Sequence, residues 1–423
     1  MSAARIRLPM SAARIRRPVS SARKPSLLRA ALLAMLLGSA AAAPASVSSS
    51  APASLLVFPQ ISVDAERTLD TYIELTNSGA ATQAVRCVYV DGSMAAGTAV
   101  DFRIVLKAGQ PVAWRAGVGA AALPRDGGAV PPAPATPFSG ALRCVATDVD
   151  GVPAAGDVLI GIATIERGAP TIDAAAYAAT GFAATGASAD QPDVLVLGGA
   201  QAEYAACPAG LALQPFLDGA RVGLGTSLGE RETTTRIAIA TCSSDPVGGA
   251  TATVDLRVTN EFGQSMTHRR ALREHLVSDL SNLDTAVSSQ SIFSAAVAGS
   301  PTGNVRIVPV GSGSGVLAIA LTSFADPRGG PGPQTAVQPQ LLGERTAQAD
   351  LVALTVPAAP AACPGDCNGD AAVAINELIS GVNIALGAAP LSSCTAVDSG
   401  GDGVVAINEL IAAVNAALLG CPA

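Results

Sequence analysis

Short apolar runs separated by turn residues cover the chain from residue 46 to about residue 357. Three of them, TYIELTN, AVRCVYV and DFRIVLKAG, lie within residues 71–109 and combine β-branched residues with partial two-residue alternation. The turn signals NSG, VDG and KAG separate such runs, which is the pattern of short strands joined by tight turns. Strands at this spacing are typical of β-sandwiches. The body is therefore predicted to be mainly β and to form one or two Ig-like β-sandwich domains.

Two stretches rich in Pro, Gly and Ala interrupt the strand pattern. Residues 118–140 predict a long surface loop and residues 169–193 predict a linker. A first β-sandwich domain is thus expected at residues 46–168, and a second β-rich domain at residues 194–357. Within the second domain, the segment MTHRRALREHLVSDLSNLD at residues 266–284 breaks the strand pattern and predicts a helical insert.

The end of the chain changes to a helical pattern that occurs twice. Leu378, Ile379, Val382 and Leu386 recur at intervals of one helical turn, and Leu410, Ile411, Val414 and Leu418 repeat them 32 residues later. Aligning residues 366–387 on residues 398–419 gives 14 identities in 22 positions, which indicates an internal duplication. A small α-helical domain is predicted at residues 358–423, with Asn376 and Asn408 as the helix N-caps.

The start of the chain has the layout of a secretory signal peptide. The basic segment RKPSLLR is followed by the apolar run AALLAMLLGSAAAA and then by small residues. This run is shorter than the roughly 20 residues that span a bilayer, and no later stretch predicts a span. Residues 1–45 are therefore predicted to be a signal peptide, and the mature protein is expected to be secreted or at the cell surface. Because MSAARIR occurs twice, Met1 and Met10 both remain candidate starts.

Charge and cysteine content narrow the class of protein further. A net charge of −7 with an isoelectric point near 4.9 argues against a nucleic-acid partner, which requires a basic surface. Eight cysteines in an exported chain indicate disulfides, and they fall into two groups of four whose pairing the sequence leaves open. Because Cys87 and Cys144 both lie in strand-like runs, a bridge between strands is one of the pairings that the sequence allows. The groups are Cys87, Cys144, Cys207 and Cys242, then Cys363, Cys367, Cys394 and Cys421.

The acidic residues of the tail predict calcium binding. From Pro357 onward the chain has no Lys, Arg or His, and all six acidic residues fall on ligand positions of a twelve-residue calcium loop. Ala371 replaces glycine at position 6 of the first loop and Gly400 removes a ligand from the second, so affinities of roughly 10⁻⁴–10⁻³ M are expected. The alternative is a disulfide-held helix pair without metal. The predicted ligands for two Ca²⁺ ions are Asp366, Asn368, Asp370, the Ala372 carbonyl and Glu377, then Asp398, Asp402, the Val404 carbonyl and Glu409.

Residues 363–421, with the loops DCNGDAAVAINELI and DSGGDGVVAINELI, resemble a dockerin or a closely related EF-hand pair. Dockerins are duplicated calcium modules of bacterial extracellular assemblies. The resemblance implies a cohesin-like or other surface protein as partner. The chain departs from the dockerin pattern in its four cysteines and in the glutamate at position 12 of each loop, where dockerins usually have aspartate.

The body offers no catalytic set that the sequence supports. GTSLG at residues 225–229 matches a nucleophile elbow with Ser227, and Asp255 with His268 or His275 follows in hydrolase order. An elbow must lead into a helix, however, and the strand-like ERETTTRIAIA follows, so a hairpin turn is favoured. GSGSG at residues 311–315 also precedes a strand-like run and predicts no phosphate site.

The sequence therefore predicts an exported protein with a non-catalytic β body and a calcium-binding tail for docking or structural stabilisation. Aromatic residues make up only 3% of the chain, with a single tryptophan, which weighs against sugar binding. The alternatives are a dockerin-bearing enzyme of polysaccharide degradation, of the glycoside hydrolase type, and a purely structural surface protein. No cofactor other than Ca²⁺ is predicted.

Overall fold

The computed structural model describes most of the chain from residue 46 onward. The described residues are 46–93, 99–119, 131–134, 136–148, 151–168, 173–187, 193–224, 229–245, 249–284, 287–326, 332–354, 363–368, 372–398 and 405–419. The predicted signal peptide, residues 1–45, lies outside them. Residues 45–423 cluster as one compact unit.

Twenty-two strands lie within these ranges. They are β1 Val47–Ser48, β2 Leu55–Val63, β3 Leu69–Asn77, β4 Gln83–Asp91, β5 Val100–Leu106, β6 Pro111–Arg115, β7 Phe138–Thr147, β8 Leu159–Arg167, β9 Asp173–Ala178, β10 Thr180–Phe182, β11 Val194–Leu197, β12 Leu211–Leu213, β13 Arg221–Gly223, β14 Glu230–Thr241, β15 Thr251–Thr259, β16 Ser265–Arg273, β17 His275–Asp279, β18 Asn304–Pro309, β19 Val316–Ala325, β20 Gln334–Val337, β21 Gln340–Leu341 and β22 Asp350–Ala353. The described α-helices are α1 Ala295–Ala298, α2 Ile375–Ala385 and α3 Ile407–Leu419.

The strands form four larger sheets and one ribbon, and every strand pair is antiparallel. Sheet I has the order β1-β10-β2-β7-β4-β5, and sheet II has the order β6-β3-β8-β9. Sheet III has the order β16-β15-β18-β12-β21, and sheet IV has the order β13-β14-β19-β20 with β17 also paired to β14. The two-stranded ribbon joins β11 to β22.

The expectation of Ig-like β-sandwich domains is wrong. The protein is mainly β, with 49% strand, and its sheets are arranged as a four-bladed β-propeller. Strand β2 shows why the alternation of apolar and polar residues could not distinguish a propeller from a sandwich. All nine of its residues are buried. Leu56 and Phe58 pack into one core cluster, whereas Leu55 and Val57 pack into another on the opposite face. Sheet I is thus covered on both sides, which a two-layer sandwich does not allow.

The predicted helical insert at residues 266–284 is also wrong, because the segment forms β16, β17 and a short 3₁₀ turn. All nine residues of β16 pair in register with β15, from Ser265 opposite Thr259 to Arg273 opposite Thr251. Most of β16 is exposed, since it is the edge strand of sheet III. A solvated edge strand needs no apolar alternation, so its charged residues resembled a helix surface.

The segment predicted as a linker, residues 169–193, contains β9 and β10. These strands pair with β8 and β2 respectively. Residues 173–182 therefore continue sheets I and II.

The cysteine pattern of the body is confirmed as disulfides. Cys87 and Cys144 are directly opposite each other on β4 and β7 and are bonded, so the structure has the bridge between strands that the sequence allowed. Cys207 and Cys242 form a second bridge. Both pairs stay within the first group of four cysteines.

Arg86 fixes the ribbon β11–β22 to sheet I. Its guanidinium donates to the Asp193 carboxylate at 2.7 Å and to the Leu354 carbonyl at 3.1 Å, and it pairs with Asp101 at 2.6 Å. The backbone N–H of Leu354 in turn donates to the Asp193 carbonyl at 2.8 Å. One buried arginine therefore holds the end of the ribbon at which β11 begins and β22 ends.

No helix among the described residues is both long enough and apolar enough to cross a membrane.

Candidate metal site

The two helices of the tail begin at equivalent positions of the duplicated loops. Helix α2 starts at Ile375 with Ala374 as its N-cap, and helix α3 starts at Ile407. The prediction that Asn376 and Asn408 are N-caps is wrong, because both lie within the first helical turn. Ala374 has no side-chain oxygen with which to cap the helix. The glutamate three residues further on instead accepts a hydrogen bond from the backbone N–H of the N-cap residue itself.

Glu377 closes the first loop. Its residue is only 3% exposed. Oε1 accepts hydrogen bonds from the backbone N–H groups of Cys367 at 2.9 Å and Asn368 at 3.2 Å, and Oε2 accepts from Ala374 at 2.8 Å. The residue at loop position 12 is thereby tied to positions 2, 3 and 9. This single carboxylate holds the loop in a closed turn.

Glu409 occupies the same place in the second repeat. It is 4% exposed, and its Oε2 accepts from the Ala406 N–H at 2.8 Å, as Glu377 does from Ala374. The two repeats therefore share a local structure as well as a sequence.

The other predicted ligands are described in part. Asp366 and Asp398 are half-buried and Asn368 is exposed. The backbone N–H groups of the two aspartates donate to the carbonyls of Cys363 and Thr395, at 2.9 and 3.2 Å, so each loop begins with a turn. Ala372 is exposed. Asp370, Asp402 and Val404 lie outside the described residues.

The two repeats pack closely through glycines. Gly365 has a φ of +95°, and a Cβ atom there would lie 2.7 Å from the Cβ of Ala413 on α3. A Cβ atom at Gly381 on α2 would lie 2.9 Å from Val397. The disulfide Cys367–Cys394 joins the first loop to the connection between the repeats, and Cys363 is also disulfide-bonded. The tail is thus a small, cross-linked pair of loop–helix units.

The apolar faces predicted for the two helices point largely outward. Eight aliphatic side chains, each 42–77% exposed, form two equivalent stripes. Sequence reasoning missed the first residue of each stripe, although the strict 32-residue repetition contained the signal. The stripes consist of Ile375, Ile379, Val382 and Leu386 on α2 and Ile407, Ile411, Val414 and Leu418 on α3.

The hydrolase residues are not brought together. Asp255 pairs with Arg269 on the outer face of sheet III, at 2.6 and 2.8 Å. His268 lies opposite Leu256 in the register, so it is on the other face of that sheet, and His275 lies on sheet IV. Ser227 lies outside the described residues, but the flanking strands β13 and β14 pair directly. The expected hairpin is therefore present.

Two other features of the body are structural. Among the described residues, Cys207, Cys242 and Asp350 form the one group with metal-like spacing, but the two sulfurs are bonded to each other. Trp114 is buried, and its indole N–H donates to the Tyr89 hydroxyl at 2.8 Å. It offers no exposed platform on which a sugar could stack.

No family model and no curated protein matches the chain.

Proposed function

We propose that the tail, residues 363–419, binds Ca²⁺ in its two loops and acts as a calcium-dependent docking module on a non-catalytic β body. The observation that carries the proposal is the pair of buried glutamates at position 12, each held by the same backbone contact at the start of its helix.

Electrostatics favour a bound cation. Burying a carboxylate without a positive partner costs several kcal/mol. The printed sequence has no Lys, Arg or His after residue 357, and the carboxylate of Glu377 is held by backbone N–H groups. Hydrogen bonds to backbone N–H groups offset part of the cost, and a divalent ion among the loop carboxylates would offset the rest.

The two exposed stripes support a docking role. Contiguous apolar patches larger than a few hundred Å² are rare on monomeric proteins and mark interaction sites. The only acidic residues of α2 and α3 are Glu377 and Glu409, which are buried, and neither helix has a basic residue. The outer helix surfaces are therefore uncharged, so the expected partner is a protein with an apolar, uncharged surface. The dockerin resemblance makes a cohesin-like domain the first partner to test.

Export fits the same proposal. Three disulfides are defined among the described residues, and disulfides persist in oxidising compartments. Together with the signal-peptide pattern of residues 1–45, they support a secreted or cell-surface location.

Calorimetric titration of the full chain with CaCl₂ tests the metal sites. Two binding events are expected, with Asp366→Asn removing one and Asp398→Asn removing the other. Glu261→Gln, an exposed acid at the turn before β16, is the matched control and should retain both. If the wild-type chain shows no heat of binding and no change on adding chelator, the calcium proposal fails.

Docking is tested by titrating the calcium-loaded chain with a purified cohesin-type domain. Binding should be abolished by chelator and weakened by Ile379→Asp or Ile411→Asp. If calcium binds but no complex forms, and the chain remains monomeric, the tail stabilises the protein without docking.

A further inference from the structure

A large cleft of the body lies away from the tail. Its volume is about 690 Å³, and it is lined by strands of sheets I, II and IV. Clefts of a few hundred Å³ or more with a small number of converging polar groups are the usual form of a small-molecule site. At one corner of this cleft, three polar side chains have hydrogen-bond acceptors that the fold does not use.

Asp91, the last residue of β4, is the first of these groups. It is 7% exposed, and its Oδ1 accepts a hydrogen bond from the Ser93 N–H at 2.9 Å. The other acids that line the cleft have cationic partners, since Asp64 pairs with Arg67 at 3.4 Å and Asp279 with Arg236 at 3.5 Å. Within the described part of the chain, no arginine or lysine pairs with Asp91.

Gln60 is the second group. It is 2% exposed, and its Nε2, with two N–H donors, lies within hydrogen-bond distance of three acceptors: the Ile61 carbonyl at 3.1 Å and the hydroxyls of Ser62 and Ser139. A carbonyl can only accept, so the bond to Ile61 fixes which amide atom is the nitrogen. The Oε1 atom is then left buried without a hydrogen-bond donor.

His275 is the third group. Its Nε2 lies 3.0 Å from the Pro59 carbonyl, so Nε2 carries the proton and Nδ1 has a free lone pair. Burial lowers the pKa of the ring to about 4, with the charge of Arg143 adding to the effect. The imidazole is therefore a neutral acceptor at pH 7. Arg143 itself is compensated by Glu274, 3.6 Å away.

Gly92 and Ser139 connect the three groups. A Cβ atom at Gly92, next to Asp91 in the chain, would lie 2.7 Å from His275 Nδ1 and 2.8 Å from the Ser139 carbonyl. The Ser139 hydroxyl lies 3.2 Å from Gln60 Nε2. The corner is thus rich in acceptors, carries one uncompensated negative charge, and would be narrowed by any side chain at residue 92.

We propose that this corner of the cleft binds a small molecule carrying a primary ammonium group, whose N–H donors are accepted by Asp91, Gln60 and His275. A primary ammonium ion has three N–H donors and one positive charge, which matches three acceptors of which one is a carboxylate. The inference is independent of the tail and of calcium.

The test measures binding of n-pentylamine to the full chain at pH 7 by calorimetry and ligand-observed NMR, with 1-pentanol as the neutral probe of the same shape. The amine should bind at least tenfold more tightly than the alcohol. Asp91→Asn should weaken amine binding at least tenfold, and Gly92→Ala should weaken it as well. Asp64→Asn is the matched control, because that carboxylate lies in the same cleft but already pairs with Arg67.

Two results would overturn the proposal. One is that the wild-type chain binds the amine and the alcohol equally well, or binds neither. This comparison does not depend on the folding of any variant. The other is an equal loss of amine binding in Asp64→Asn and Asp91→Asn, since a general effect of negative charge would then explain the affinity.

Discussion

His275 should make the protein less stable as the pH falls from about 6.5 to about 4. Burial lowers the pKa of this histidine from 6.5 to about 4 in the folded protein, whereas the unfolded chain keeps the ordinary value. Between these values the unfolded state binds more protons, so the free energy of unfolding rises with pH. The contribution is complete above pH 6.5, is lost as the pH falls through this window, and changes no further below pH 4.

The size of the effect follows from the shift. One pKa unit corresponds to about 1.4 kcal/mol, so a change from 6.5 to about 4 gives a loss on the order of 3 kcal/mol. The structural reason is burial of the ring, to which the charge of Arg143 adds, whereas the hydrogen bond from Nε2 to the Pro59 carbonyl opposes the shift. A second proton on this half-buried ring would therefore place a positive charge near that of Arg143.

Urea denaturation at pH 7.5, 6, 5 and 4 measures this contribution by difference. In His275→Gln, where the amide can still donate to the Pro59 carbonyl, the pH profile should be flatter than that of the wild type by about 3 kcal/mol. His268→Gln removes the other histidine, on edge strand β16, and should follow the wild type. If the wild-type and His275→Gln profiles are parallel between pH 6.5 and pH 4, the assignment of a buried neutral imidazole is refuted.

Three further predictions concern stability. Replacing Cys87 and Cys144 together by alanine should lower the free energy of unfolding by about 4 kcal/mol, because the bridge closes a loop with a sequence separation of 57; urea denaturation measures it. Arg143→Met should cost roughly 3–5 kcal/mol, since it leaves the buried Glu274 without its cationic partner; thermal denaturation detects the loss. Gly365→Ala should destabilise the tail by on the order of 2 kcal/mol through its positive φ and its contact with α3; limited proteolysis monitors it.

Each of these has a result that contradicts it. Unchanged stability of the double cysteine variant would mean that strand pairing alone constrains β4 and β7. Arg143→Met at wild-type stability would show that backbone donors suffice for Glu274. For the glycine, Gly387→Ala is the control, because Gly387 also has a positive φ but has open space around it. If Gly365→Ala and Gly387→Ala destabilise the tail equally, packing of Gly365 against α3 makes no contribution to its effect.

The sequence predicted local structure better than the packing of sheets. TYIELTN, AVRCVYV and DFRIVLKAG lie within β3, β4 and β5 or overlap them, because β-branched residues and turn signals act within a few residues of chain. Which sheets face each other depends on contacts distant in sequence, so the propeller was not predicted. The fully buried β2 and the charged edge strand β16 both lack the alternation on which the interpretation relied.

The two candidate sites, the tail loops and the cleft, also differ in how far they could be predicted from the sequence. The calcium loops could be proposed from the sequence because all the predicted ligands of each loop lie within twelve consecutive residues. The cleft could not, since Gln60, Asp91 and His275 come from three strands and are up to 215 residues apart. None of the three belongs to a short motif, and only the folded chain shows that each has an unused acceptor.

Arg86 has a mechanical consequence if the tail is held by a partner while the body carries a load. In the described part of the chain, Leu354 is the last residue before the tail and lies directly beside Asp193, so tension that reaches it acts on the end of the ribbon where β11 and β22 would separate one hydrogen bond at a time. Peeling is the weaker direction for an antiparallel pair, since bonds then break singly and not together. The hydrogen bonds from Arg86 to both residues at that end would have to break first, and those between β22 and Ser244 would resist next. A buried guanidinium thus protects the body at the point where pulling would begin.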